Sequence, residues 1–144
     1  MAGVALRDLI ATEEAAEHPI EPALNGLAYV MFRSLDADGA VRTCTTMRPG
    51  RVDRSPCGTG SNSNMASQQA KGNVQVGDQL VSRSIIGGEF ITEYVAQTQV
   101  GPYVATQNKV SGQAWIYSMS TLGLDPSDPF PQGFILSDTW GGSV

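Results

Sequence analysis

The residues able to do chemistry lie in one run, Asp53-Arg54-Ser55-Pro56-Cys57-Gly58-Thr59-Gly60, where a carboxylate precedes a thiol and two glycines flank a threonine. The run sits between a strand-forming segment and a helix-forming one, which places Cys57 and the glycines at a helix N-terminus. Unpaired N–H groups point outward there, and the macrodipole favours negative charge. Glycine also lets a ligand come close to the backbone. A small carboxylate is therefore expected on the N–H groups of Gly58, Thr59 and Gly60, with Cys57 held partly as thiolate. Deprotonating the α-carbon of an amino acid needs both features: a neutralised carboxylate to receive the electron pair, and a base beside the carbon. Asp53 supplies the counter-charge for a protonated amine. Plainer roles fit the same residues: a lone cysteine can pack as a small hydrophobe, and Asp53 and Thr59 are common turn residues.

The elements that must position this run can be read from pattern. Leu6 to Glu17 has a helical period closed by Pro19, but Glu13, Glu14 and Glu17 crowd its C-terminal end, where the macrodipole opposes them. Leu27 to Phe32 and Val41 to Met47 read as a hairpin around Asp36-Ala37-Asp38-Gly39. A second helix is expected over Asn62 to Ala70, capped at Gly72. It carries no charge before Lys71, which suits an inner helix. Strands follow at Gln79 to Ile86, Glu89 to Gln97, Pro102 to Lys109 and Ala114 to Met119. The three prolines between Asp125 and Pro131 require an irregular loop, and Phe134 to Leu136 reads as a last short strand. The expected fold class is α+β, a strand-rich mixed sheet curled around a central helix.

Bulk properties narrow the function. The chain has 144 residues, 41% hydrophobic and 16% charged, with 16 glycines and 8 prolines, which suits one globular, turn-rich domain. A net charge of −5 without a basic run argues against nucleic acid or an anionic membrane as partner. No apolar stretch is long enough to span a bilayer, and Met1 to Leu9 lacks the pattern of a signal peptide, so a cytoplasmic location is expected. Two cysteines and one histidine show no metal-ligand spacing, so no metal is expected. Cys44 and Cys57 also lack the spacing of a redox pair.

The run Asp53 to Gly60 resembles the second cysteine motif of the proline racemase family, which includes hydroxyproline 2-epimerases and a 3-hydroxyproline dehydratase. Ser84-Ile85-Ile86-Gly87 and Asp128-Pro129-Phe130-Pro131-Gln132-Gly133-Phe134 resemble later landmarks of that family, and the likeness runs from about Ile20 to Trp140. The resemblance implies a diaminopimelate-epimerase-like lobe working without cofactor, with two bases on opposite faces of the α-carbon. Cys57 would be the second base. Asp53 would contact the substrate nitrogen, Gly58, Thr59 and Gly60 would hold the carboxylate, and Met47 would stand where some members place a pocket-wall aromatic. A cysteine at position 57 favours racemisation or epimerisation over dehydration, because dehydratases tend to carry threonine there.

Two departures bear on this. Members often continue Gly-Thr-Gly with Thr-Ser-Ala, whereas this sequence continues Ser61-Asn62-Ser63-Asn64. The first base, a cysteine or serine followed by Gly-His-Gly, has no counterpart: Cys44 precedes Thr45-Thr46-Met47, and His18 precedes Pro19. Residues 1–144 are therefore expected to form a single domain like the C-terminal lobe alone, without the N-terminal lobe. Its partners would be a proline- or hydroxyproline-like substrate, the missing lobe or a second copy. The isolated chain is expected to be inactive. The alternatives are a non-catalytic module that binds small carboxylates or serves assembly, and a dehydratase-like lyase.

Overall fold

The computed structural model describes residues 2–14 and 16–133. The chain divides into two compact units, Met1–Gln113 and Ala114–Val144. The first opens with helix α1, Ala2–Glu13, which starts before Leu6 and stops short of Glu17. The helix ends at the first of the crowded acids, as the macrodipole dictates. Gly3 is buried, and a Cβ there would overlap the Thr46 side chain, so only glycine lets α1 lie this close to the sheet.

Strands β1, Tyr29–Leu35, and β2, Val41–Met47, form the expected antiparallel hairpin, with Gly39 at φ +86° in its turn. The other edge of β2 is shared. Its C-terminal end pairs with β3, Arg51–Val52, while its N-terminal half pairs in parallel with β4, Gln79–Ser84. Helix α2, Gly58–Ala70, makes the crossover between them. Strands β5, Glu89–Val100, and β6, Tyr103–Gly112, complete a six-stranded mixed sheet of order β1-β2-β4-β5-β6, with β3 beside β2. The α+β class and the mixed sheet agree with the sequence reading.

Along β2, Val41, Thr43 and Thr45 are buried while the residues between them are partly exposed. Thr43 reaches the segment leading into α2, and Thr46, at odd spacing from it, packs on Gly3 of α1. The two helices therefore cover opposite faces of the sheet. Helix α2 is only in part the inner helix its composition suggests: Ser61, Asn64 and Met65 are buried, while Thr59, Ser63 and Ala70 are exposed. Met65 is fully buried, a contribution of about 1.5–3 kcal/mol. Two of its polar residues are bonded to the sheet: Asn64 accepts from Arg33 of β1, and Asn62 accepts from Asn108 of β6 at 2.9 Å. It begins four residues before the expected Asn62, because Cys57 caps it.

Opposite charges gather at the hairpin end. The parallel register sets Arg42 beside Arg83, two like charges that would repel each other. Asp36 lies 2.7 Å from Arg42 and 3.4 Å from Arg83, with Asp38 at 2.6 Å and Glu89 at 3.1 Å from Arg83. The hydrogen bond from Arg42 holds the Asp36 carboxyl below its usual range, and the bond from Arg83 does the same for Asp38.

In the second unit the structure corrects the sequence reading. The expected strand over Ala114 to Met119 is absent: no described strand pairs with it, and Trp115, Ile116 and Tyr117 are exposed. Alternation of aromatic and small residues makes a strand only where a ladder partner exists. The proline-rich loop is irregular as expected, with Asp125 Oδ1 accepting from Ser127 N–H at 2.9 Å and Asp128 Oδ1 from Phe130 N–H at 2.8 Å. The strand expected at Phe134 to Leu136 lies outside the described residues. Among the described residues no helix is long and apolar enough to cross a membrane.

Candidate active site

The chain leaves the sheet where β2 changes partner. Asp53 N–H donates to the Thr45 carbonyl at 2.9 Å, the last backbone–backbone bond to β2 before the run turns toward α2. Asp53 Oδ1 then accepts from Ser55 N–H at 2.8 Å, and Ser55 Oγ accepts from Cys57 N–H at 3.1 Å. These two local bonds carry the backbone through Pro56, which is fully buried. No described group bonds the second Asp53 oxygen, Oδ2.

Cys57 is the N-cap of α2, with φ 68° and ψ 106°. It is the one non-glycine residue among those described with positive φ. Such a backbone costs about 1–3 kcal/mol and persists only where surrounding bonds impose it. Its sulfur does what a serine or threonine oxygen does at most helix starts: Sγ accepts from Gly60 N–H at 3.3 Å. The Cys57 carbonyl accepts from Ser61 N–H at 2.9 Å. Nothing among the described residues accepts from the N–H groups of Gly58 and Thr59, which remain open at the positive end of the helix.

Two clefts are lined by residues of this run. One, of about 320 Å³, is lined by Cys57, Thr59, Gly60, Tyr29, Met31 and Thr45. The other, of about 610 Å³, is lined by Asp53, Ser55, Pro56, Met47, Phe90 and neighbours. The chain passes from the second to the first at the Pro56–Cys57 peptide. Cys57, Thr59 and Gly60 thus share one cleft, Asp53 and Met47 share the adjacent one, and Gly58 begins the helix beside them. Gly60 N–H, expected at a ligand carboxylate, is turned onto Sγ. A side chain at position 60 would overlap Met31 Sδ, so the methionine would have to move to admit one. Cys44 is a separate free thiol on β2, and His18 Nδ1 accepts from Glu21 N–H at 3.1 Å in a local turn.

Sequence reasoning missed Tyr29, Met31 and Thr45. The two-residue strand period was the available signal, since Thr43, Thr45 and Met47 share a face of β2 and Tyr29 stands opposite Met47 in the register. Thr45 Oγ1 is buried in the cleft wall without a partner among the described residues.

Residues 1–135 match the sequence profile of a family described as proline racemase. The chain belongs to the proline racemase family. It is 50% identical over 140 residues to a 4-hydroxyproline 2-epimerase of Agrobacterium fabrum, covering 97% of this chain and 41% of that protein. A 4-hydroxyproline 2-epimerase of Streptosporangium roseum is 35% identical over 94% of this chain. Among solved structures, a hydroxyproline epimerase from Agrobacterium vitis with bound trans-4-hydroxy-L-proline superposes with TM-score 0.78 at 48% identity, over 97% of this chain and 40% of its own. A probable proline racemase from Agrobacterium radiobacter with bound carbonate also gives 0.78, at 50% identity over 98% and 42%. The chain therefore spans about 41% of the length of the curated relatives it matches.

Proposed function

We propose that this chain is the Cys57-bearing part of an amino-acid epimerase that inverts the α-carbon of a 4-hydroxyproline- or proline-like substrate without a cofactor. One observation carries the reading: Cys57 Sγ, the open N–H groups of Gly58 and Thr59, and the unpaired Asp53 Oδ2 lie within eight residues at the start of α2. The substrate carboxylate accepts from Gly58 and Thr59. Its ring ammonium donates to Asp53. Cys57, as thiolate, takes the α-proton, and the electron pair left on carbon delocalises into the bound carboxylate. A second acid then returns a proton to the opposite face. Atoms balance: one proton leaves to sulfur, another arrives, and the chirality inverts. Met47 and Tyr29 wall the site, and the Gly60 N–H fixes the position of the sulfur rather than holding substrate.

The residues lining the two clefts include no second cysteine and no histidine. The returning acid is accordingly assigned to polypeptide beyond the described residues, and the chain alone is expected to bind without turnover. Calorimetry with pyrrole-2-carboxylate, a planar mimic of the carbanion, tests the binding half of the claim. Saturable binding to the isolated chain is expected. Absence of binding to a folded chain would refute the carboxylate site at the helix start.

A further inference from the structure

Cys57 sits in a backbone conformation that its side chain disfavours, so some contact must hold it there. The Pro56 carbonyl, one peptide before it, is buried, and it precedes α2. The N–H four residues later, on Gly60, is committed to Cys57 Sγ. The bond the carbonyl does receive comes from β2: Thr43 Oγ1 lies 3.1 Å from the Pro56 oxygen and 3.2 Å from the Arg83 oxygen of β4, so its one proton is shared between two carbonyls. Thr43 is 2% exposed, and no other described residue donates to that Pro56 oxygen.

We infer that Thr43 is the positioning residue of the site: its hydroxyl, shared between the Pro56 carbonyl and the Arg83 carbonyl of β4, orients the Pro56–Cys57 peptide so that Cys57 stays at positive φ with Sγ aimed at Gly60. Thr43 touches no substrate and acts through Cys57. The inference rests on the reading of Cys57 as the proton-transfer base, but its readout needs neither substrate nor turnover, so either can fail without the other.

The test is amide hydrogen exchange by NMR on the full chain. Thr43→Val keeps the shape and removes the hydroxyl. It should speed exchange at Gly60 about tenfold or more, while the amide of Met65 in the buried middle of α2 stays within about twofold of the parent. Thr43→Ser should restore Gly60 protection, and Cys57→Ala should abolish it. Unchanged Gly60 protection in Thr43→Val would overturn the inference. So would failure of Thr43→Ser to restore it, or equal acceleration at Gly60 and Met65. A measurement on the unmodified chain stands whether or not the valine variant folds: exchanging the Thr43 hydroxyl proton for deuterium should shift the Pro56 carbonyl carbon resonance, and an unshifted resonance would contradict the bond.

Discussion

In the proposed reading Asp53 serves fold and ligand together. Oδ1 is tied to Ser55 N–H at 2.8 Å, and the charge on Oδ2 stays available for an ammonium. Asp53→Asn keeps the amide oxygen for the turn and removes the charge. A charged hydrogen bond contributes about 1.5–3 kcal/mol, so proline and 4-hydroxyproline should bind roughly ten- to a hundredfold more weakly. Pyrrole-2-carboxylate, which has no ammonium, should lose far less. Calorimetry with both ligand classes reads the difference; equal losses would place Asp53 in the fold alone. The turn from Asp53 to Gly60 into α2 was legible in the sequence, because it is one short local run whose bonds are between near neighbours. The strand period puts Thr45 on one face with Met47, but that this face and Tyr29 reach Cys57 depends on tertiary pairing. The capping role of Sγ was hidden because cysteine is not among the usual N-cap residues.

Among the elements, the decisive one is α2, whose start presents the site and whose buried residues fix its angle. Met65 anchors it with no exposed surface. Met65→Ala removes buried apolar volume and leaves a cavity, a destabilisation of about 2–5 kcal/mol. Urea unfolding followed by circular dichroism should show the midpoint falling accordingly; a change within error would mean that α2 is held by its polar bonds to Arg33 and Asn108. Helix and strand types were legible wherever a period or an alternation was backed by a partner. Ala114 to Met119 alternates as well as β2 does, yet no described strand pairs with it. Pairing is a tertiary fact that periodicity does not contain. The parallel match of β2 with β4 was illegible for the same reason.

Over the whole molecule, Asp36 and Asp38 neutralise Arg42 and Arg83, which the sheet forces together. Both carboxyls are held below their usual value of 3.8, so their stabilising contribution is complete above that value and is lost as pH falls through the lower folded values. Asp36→Asn should lower the unfolding midpoint near neutral pH, and the gap to the parent should close in acid below about pH 4. Thermal unfolding from pH 7 to pH 2 checks this; a gap independent of pH would remove Asp36 from the account. The family was legible from the local run and its two later landmarks. The absence of a Gly-His-Gly motif foreshadowed the 41% coverage of the relatives. The most direct test of the central claim joins this chain to the remaining part of the Agrobacterium fabrum relative and follows α-proton exchange of trans-4-hydroxy-L-proline in deuterium oxide. The fusion should exchange and epimerise, and Cys57→Ala should slow it by about 10²–10⁴-fold. A Cys57→Ala fusion as fast as its parent would contradict the assignment of Cys57 as the base.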